Sequence, residues 1–273
     1  TITTFWESHW KANWCVICGC PAWMKLTQEE ITDYLQTVDV PDKAIWTQRH
    51  EENECEILSW TFNDETLWTP IMILIRNKNF RPDDYKEFSW NIRPGHAEYT
   101  YLKKYWIFSP SWWWRESWRE CISRLAWWYV AKKILEKYNV TFNSEVLEMC
   151  WEKDYKSWVK KVLENVISNW ESTGWIVQLT IKWLPAWLWN PVFDKFSSKI
   201  YSVIWSIWAI KWIEIWAGFS VANMTWSESN DEYEIIDWEV VFKTNNCWWI
   251  LGWITTWEDV VVKMAVKPTP SIE

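Results

Sequence analysis

Two of the chain's three histidines, His9 and His96, lie in the short polar stretches "ESHW" and "RPGHAEY". An imidazole titrates near neutral pH, so either ring could give a proton to a charge that develops during a reaction. A lone histidine is more often structural, so its neighbours must decide. Arg93 stands three residues before His96 and suits an anion. The stretch "SPSWWWRESWRECISRLAWWYVAKKI" (109–134) carries Arg115, Arg119 and Arg124 at the start of a helical pattern. Guanidinium forks match carboxylates and phosphates, and a helix N-terminus adds its own partial positive charge. Arg49 is a further cation; Arg49 and Arg124 are equally readable as surface or structural residues. "KPTPS" (267–271) offers a cation and two hydroxyls to a phosphate or another polar group, although its prolines also suit the end of an edge strand. Cys15, Cys18 and Cys20 in "WCVICGC" resemble a metal site, but no second cluster supplies a fourth ligand. A buried strand in a reducing cytoplasm accounts for them, and seven cysteines, an odd number, argue against a disulfide framework.

These groups need a scaffold. "LTQEEITDYLQTV" (26–38) reads as an amphipathic helix with a Thr cap and an acidic first turn. Residues 54–62 and 69–77 read as strands joined by a turn. Residues 116–138, 152–168 and 191–207 read as helices, and 174–184, 210–219, 237–244 and 258–268 as strands. The mixture lacks a βαβ rhythm, which predicts an α+β fold. With no linker or repeat, one domain over 1–273 is expected. The net charge of −8 has no basic stripe within it, which excludes a nucleic-acid partner. No charged stretch followed by an apolar one opens the sequence, so a signal peptide is not expected. Lys211 and Glu214 interrupt the most apolar run (200–222), which argues against a membrane span or partner.

The composition holds one anomaly: 32 tryptophans and 5 glycines. At ordinary usage, roughly 7%, about nineteen glycines would be expected. The tryptophans follow turn formers, at Asn13-Trp14, Ser59-Trp60, Asn169-Trp170 and Asp237-Trp238, where glycine belongs because it accepts positive φ. "LPAWLWNP" (184–191) and "CWWILGWITTW" (247–257) become plausible loops once Trp is read as Gly. A protein built on real tryptophan, for example at a membrane interface, would show a repeat or a Trp period, and none is present. The pattern fits UGA codons that mean glycine written as tryptophan.

Read that way, the chain resembles chorismate synthase over essentially its whole length. "TTFWESHW" becomes "TTFGESHG", the family's N-terminal signature, and "RPGHAEYTYLKKYW" matches the second apart from its last residue. "WWWRESWRECISRLAWWYVAKK", "LPAWLWNPVFDK", "AIKWIEIWAGF", "WSESNDE" and "FKTNNCWWILGWITTWEDVVVKMAVKPTPSI" follow in the family's order. Trp112 to Trp114 become a glycine loop, able to bring backbone N–H groups up to an anion.

The resemblance implies a β-α-β sandwich and a homotetramer. It implies loss of phosphate from 5-enolpyruvylshikimate 3-phosphate by anti-1,4-elimination in the cytoplasm, with reduced FMN and no net redox. NADPH enters only if an intrinsic flavin reductase activity is present. His9 would meet the leaving phosphate, and His96 would protonate at the reduced flavin. FMN would be lined by Arg115, Glu116, Ser117, Trp208, Ala209, Gly252, Lys267, Pro268, Thr269, Pro270 and Ser271. Arg49, Arg93, Arg119 and Arg124 would serve the substrate. Val38 and Ala44 stand where the family has arginines, and Ser111 replaces the arginine before the glycine loop. The family's C-terminal Arg-His-Asp segment is missing from the sequence, so the 1–273 domain is expected to be C-terminally truncated. A non-catalytic FMN-binding homologue is the alternative.

Overall fold

Strand β1 (Ile2–Phe5) pairs antiparallel with β2 (Ala12–Ile17), which pairs with β6 (Ile71–Arg76), which in turn pairs with β3 (Cys55–Ile57). In the computed structural model the described residues are 1–5, 11–38, 52–59, 61–78, 80, 83, 92–106, 119–150, 153, 161, 163–166, 168–169, 171–246, 250–251 and 254–269. They fall into two compact units, Thr1–Ile134 and Leu135–Glu273.

In the first unit the sheet order is β1-β2-β6-β3. Alternation puts Cys15, Ile71, Ile73 and Ile75 on one buried face. Helix α1 (Gln28–Thr37) covers that face with Ile31 and Leu35. It begins where its sequence predicts. Thr27 accepts a bond from the Glu30 N–H at 3.1 Å, and the Glu30 carboxylate accepts from the Thr27 N–H at 3.2 Å, a reciprocal cap. The short hairpin β4 (Thr61–Phe62) and β5 (Glu65–Thr66) is inserted between β3 and β6. Helix α2 (Glu98–Tyr105) follows the 93–97 turn. Helix α3 (Glu120–Glu136) packs Ala126 and Val130 into the same core and turns Glu120 and Ser123 inward on the same stripe.

In the second unit β7 (Thr141–Met149), β8 (Trp175–Lys182), β14 (Val260–Val266) and β9 (Ile210–Ile215) form a four-stranded antiparallel sheet in that order. Helix α4 (Phe196–Trp205) covers the face formed by Ile181, Ile213, Val260, Val262 and Met264. A 3-10 turn (Gly218–Asn223) and the short α5 (Trp226–Ser229) lead to the hairpin of β10 (Tyr233–Ile236) and β11 (Glu239–Phe242). Strands β12 (Ile250–Leu251) and β13 (Ile254–Thr255) form another.

The α+β expectation holds. Details differ for physical reasons. The 191–207 helix starts only at Phe196, because Pro191 to Phe193 form a turn closed by an Asn190–Asp194 bridge. The strand predicted over 210–219 stops at Ile215 and yields to the 3-10 turn. Strand β7 and the β10 strand were not foreseen. The described residues of the 152–168 segment include helical 163–166.

The tryptophans bear out their glycine-like placement at many positions. Among the described residues sixteen non-glycine residues have positive φ, and nine of them are tryptophan: Trp23, Trp68, Trp106, Trp183, Trp187, Trp189, Trp216, Trp238 and Trp257. An L-residue is strained there and glycine is not. Several project into solvent, with Trp238 96% and Trp106 84% exposed, and no tryptophan belongs to the buried core of the described residues. Asp237 and Trp238, at φ 51° and 70°, form the two-residue turn of the β10–β11 hairpin, the geometry that Asp-Gly adopts. Asn13-Trp14 corrects the turn reading: both residues lie inside β2, held by its ladder to β6. Trp60 and Trp170 lie outside the described residues.

Candidate active site

In the first unit the polar residues gather where β1 and β2 meet the start of α3. Thr4, Asn13, Asn77, Glu120 and Ser123 are all buried. Thr4 donates its hydroxyl to Glu120 Oε1 at 2.5 Å, and Arg124 donates Nη2 to Glu120 Oε2 at 3.3 Å. Arg119 donates Nη2 to Asn77 Oδ1 at 3.0 Å, and the Asn77 N–H reaches the Lys11 carbonyl at 2.8 Å. Both amide atoms of Asn13 and the Ser123 hydroxyl are buried with no hydrogen-bond partner among the described residues. Such atoms cost free energy and are rare away from sites that bind something. His9, in the 6–10 segment that follows β1 in sequence, lies outside the described residues, as do Arg49 and Arg115 to Ser117.

Arg93 and His96 share the turn before α2. Arg93 forms an ion pair with Glu98, whose side chain is largely buried. The His96 N–H bonds the Arg93 carbonyl at 3.4 Å, and its Nδ1 lies 2.9 Å from the Pro94 carbonyl. If Nδ1 carries a proton, it donates to that carbonyl and fixes the orientation of the ring.

In the second unit the structure joins two of the segments expected to hold a cofactor. The Lys267 N–H donates to the Ala209 carbonyl at 2.9 Å, just past the last β14–β9 pair, Val266 with Ile210. Trp208-Ala209 and Lys267 to Thr269 therefore share one end of the sheet. Ala209 itself has φ 66°. Ser172 donates its hydroxyl to the Thr269 carbonyl at 2.7 Å. Gly174 has no room for a side chain: a Cβ there would sit 2.5 Å from the Val266 carbonyl oxygen. Gly252, Pro270 and Ser271 lie outside the described residues. Midway along β14, on the open face of the sheet, Glu145, Gln178, Lys263 and Glu214 stand in one cross-strand row.

Asp231, 7% exposed, was not singled out from the sequence. It accepts from the Thr244 hydroxyl and the Asn246 N–H, each at 2.7 Å, and so shapes the "KTNN" segment. Glu120 was also missed, although its place on the apolar stripe with Ala126 and Val130 was a usable signal. No group of three or more His, Cys, Asp or Glu side chains among the described residues could hold a metal. Burial pushes the Cys15 thiol up to about 12, which removes it as a nucleophile. Among the described residues no helix is long and apolar enough to cross a membrane.

A family model described as chorismate synthase matches residues 1–273. The chorismate synthase of Methanocaldococcus jannaschii is 35% identical over 99% of this chain and 81% of its own length. That of Synechocystis sp. is 34% identical over 99% and 82%. A crystal structure of chorismate synthase has the same fold, with a TM-score of 0.78 at 22% identity over 98% of this chain and 84% of that one. The buried arginine–carboxylate cluster at the start of α3 and the His96 turn thus stand on a scaffold whose sequence and fold agree: the chain belongs to the chorismate synthase family.

Proposed function

We propose that the chain is a carbon–oxygen lyase that converts 5-enolpyruvylshikimate 3-phosphate to chorismate by anti-1,4-elimination of phosphate, with reduced FMN as cofactor. The observation that carries this reading is the family match over all 273 residues. The site chemistry supports it. The substrate is an anion with a phosphate leaving group, and loss of that group is eased by cations and proton donors around it. Arg119 and Arg124, with Arg49 and Arg93, supply the cations. His9 gives a proton to the leaving phosphate and His96 holds one near the flavin.

Reduced FMN, when bound, supplies electron density to the reacting ring and takes it back, so no net redox occurs. The residues of the second unit fit such a group. Lys267 offers an ammonium and Thr269 a hydroxyl beside the left-handed backbone of Ala209, and Gly174 lets the 267–269 segment lie close. Arg115 to Ser117, Trp208, Gly252, Pro268, Pro270 and Ser271 complete the set. The protein works as a cytoplasmic homotetramer, and NADPH is used only where the chain reduces its own flavin.

The test is anaerobic incubation with substrate and chemically reduced FMN, following chorismate absorbance and phosphate release together. Equal amounts of both products are expected. A second reading, a homologue that binds FMN without turnover, is favoured by Val38, which replaces a family arginine, and by the Arg93–Glu98 pair, which engages a substrate cation. FMN binding with no phosphate release would select it and overturn the first.

A further inference from the structure

Glu120 is 2% exposed. A carboxylate this deep is rare unless each oxygen has a partner. One oxygen takes the Thr4 hydroxyl and the other an Arg124 guanidinium nitrogen. Thr4 sits one residue before the end of β1, which runs directly into the segment carrying His9. Arg124 lies one helical turn from Glu120, and its side chain keeps 25% exposure while the carboxylate beneath it has almost none. The buried partner thus restrains an arginine that still reaches solvent. A flexible side chain fixed from behind loses less freedom when it meets an anion.

We propose that Glu120 is a positioning residue: it holds the Arg124 guanidinium in the orientation that receives the anionic substrate, and it ties the first turn of α3 to the end of β1. The proposal rests on the chorismate synthase reading and names a residue that acts through Arg124 without touching substrate itself.

Glu120→Gln separates the two bonds. The amide keeps an acceptor for Thr4 but turns an N–H toward Arg124, where an acceptor is needed. The KM for 5-enolpyruvylshikimate 3-phosphate should rise about tenfold, the scale of one charge-assisted hydrogen bond, with kcat changed much less. Arg124→Lys should raise KM similarly, and Glu120→Gln in that background should add little more, because both changes remove one interaction. Equilibrium binding of the substrate, which needs no turnover, should show the same pattern in Kd. If Glu120→Gln lowers Tm and leaves KM and Kd unchanged, the residue is only structural and the proposal fails. If the two substitutions multiply, Glu120 does not act through Arg124 and the proposal also fails. An unsubstituted chain that binds substrate without turnover refutes the catalytic reading alone, since the Kd pattern still decides the role of Glu120. One that neither binds nor turns over refutes both.

Discussion

The hairpin turn at Asp237-Trp238 allows the glycine reading to be tested one residue at a time. Trp238 has φ 70° and is 96% exposed, so it holds a strained backbone while burying almost nothing. The left-handed conformation costs an L-residue roughly 1–2 kcal/mol. Trp238→Gly should therefore raise the stability of the chain by about 1 kcal/mol. Trp238→Ala keeps the Cβ that causes the strain and should gain far less. The nine left-handed tryptophans together carry a penalty of order 10 kcal/mol, as large as the roughly 5–15 kcal/mol by which a domain is stable at all. A chain with tryptophan at all nine should consequently be marginal or unfolded, and the nine-glycine chain stable. Urea unfolding measures this as a rise in midpoint at unchanged slope. Equal stability of the nine-glycine and nine-tryptophan chains would refute the reasoning, as would a gain from Trp238→Ala that matches Trp238→Gly. The intact mass of the protein from its source, and TGA or TGG at these codons, give the independent answer.

Three further outcomes follow from other parts of the chain. The Lys133 ammonium, 2.6 Å away, holds the Glu30 carboxyl below its ordinary range, with the Thr27 N–H helping and burial opposing. A depressed folded pKa means stability present above the unfolded value, about 4.3, and lost as pH falls through the folded one. The stability difference between the native chain and Glu30→Gln should thus be larger at pH 7 than at pH 3; equal differences would contradict the assignment. Gly174→Ala should cost about 1–3 kcal/mol, because its Cβ meets the Val266 backbone, and should weaken FMN binding by shifting Lys267 to Thr269; FMN titration and thermal melts check the two effects. Asn13→Leu should raise unfolding free energy by about 1 kcal/mol or more, since it removes an unpaired buried amide without opening a cavity; a lower Tm would show that the amide has a partner.

Local chemistry was the legible part. Thr27 and Glu30 are three apart and satisfy each other's N–H groups, so α1 could be read with its cap. Asp237-Trp238 could be read because a two-residue turn depends on its own backbone alone. Asn13-Trp14 uses a similar pair and is not a turn, since six cross-strand pairs with β6 outweigh a dipeptide preference. The site was legible only where a motif lies in one stretch, as with Arg93 and His96, or Arg119 and Arg124. The Thr4–Glu120 bond spans 116 residues of sequence, and no local pattern connects its ends. The row Glu145, Gln178, Lys263 and Glu214 is assembled from four strands by register, and a one-residue slip in any strand would turn its member to the opposite face. Glu120 shows what a closer reading can recover. A glutamate at i, with Ser123, Ala126 and Val130 at i+3, i+6 and i+10, sits on the stripe that must face the core. A charge on that stripe requires a buried partner, and Arg124 at i+4 is within reach on the same helix. The sequence thus permits the inference that Glu120 is paired; only the fold adds Thr4, and with it the link to the segment that carries His9.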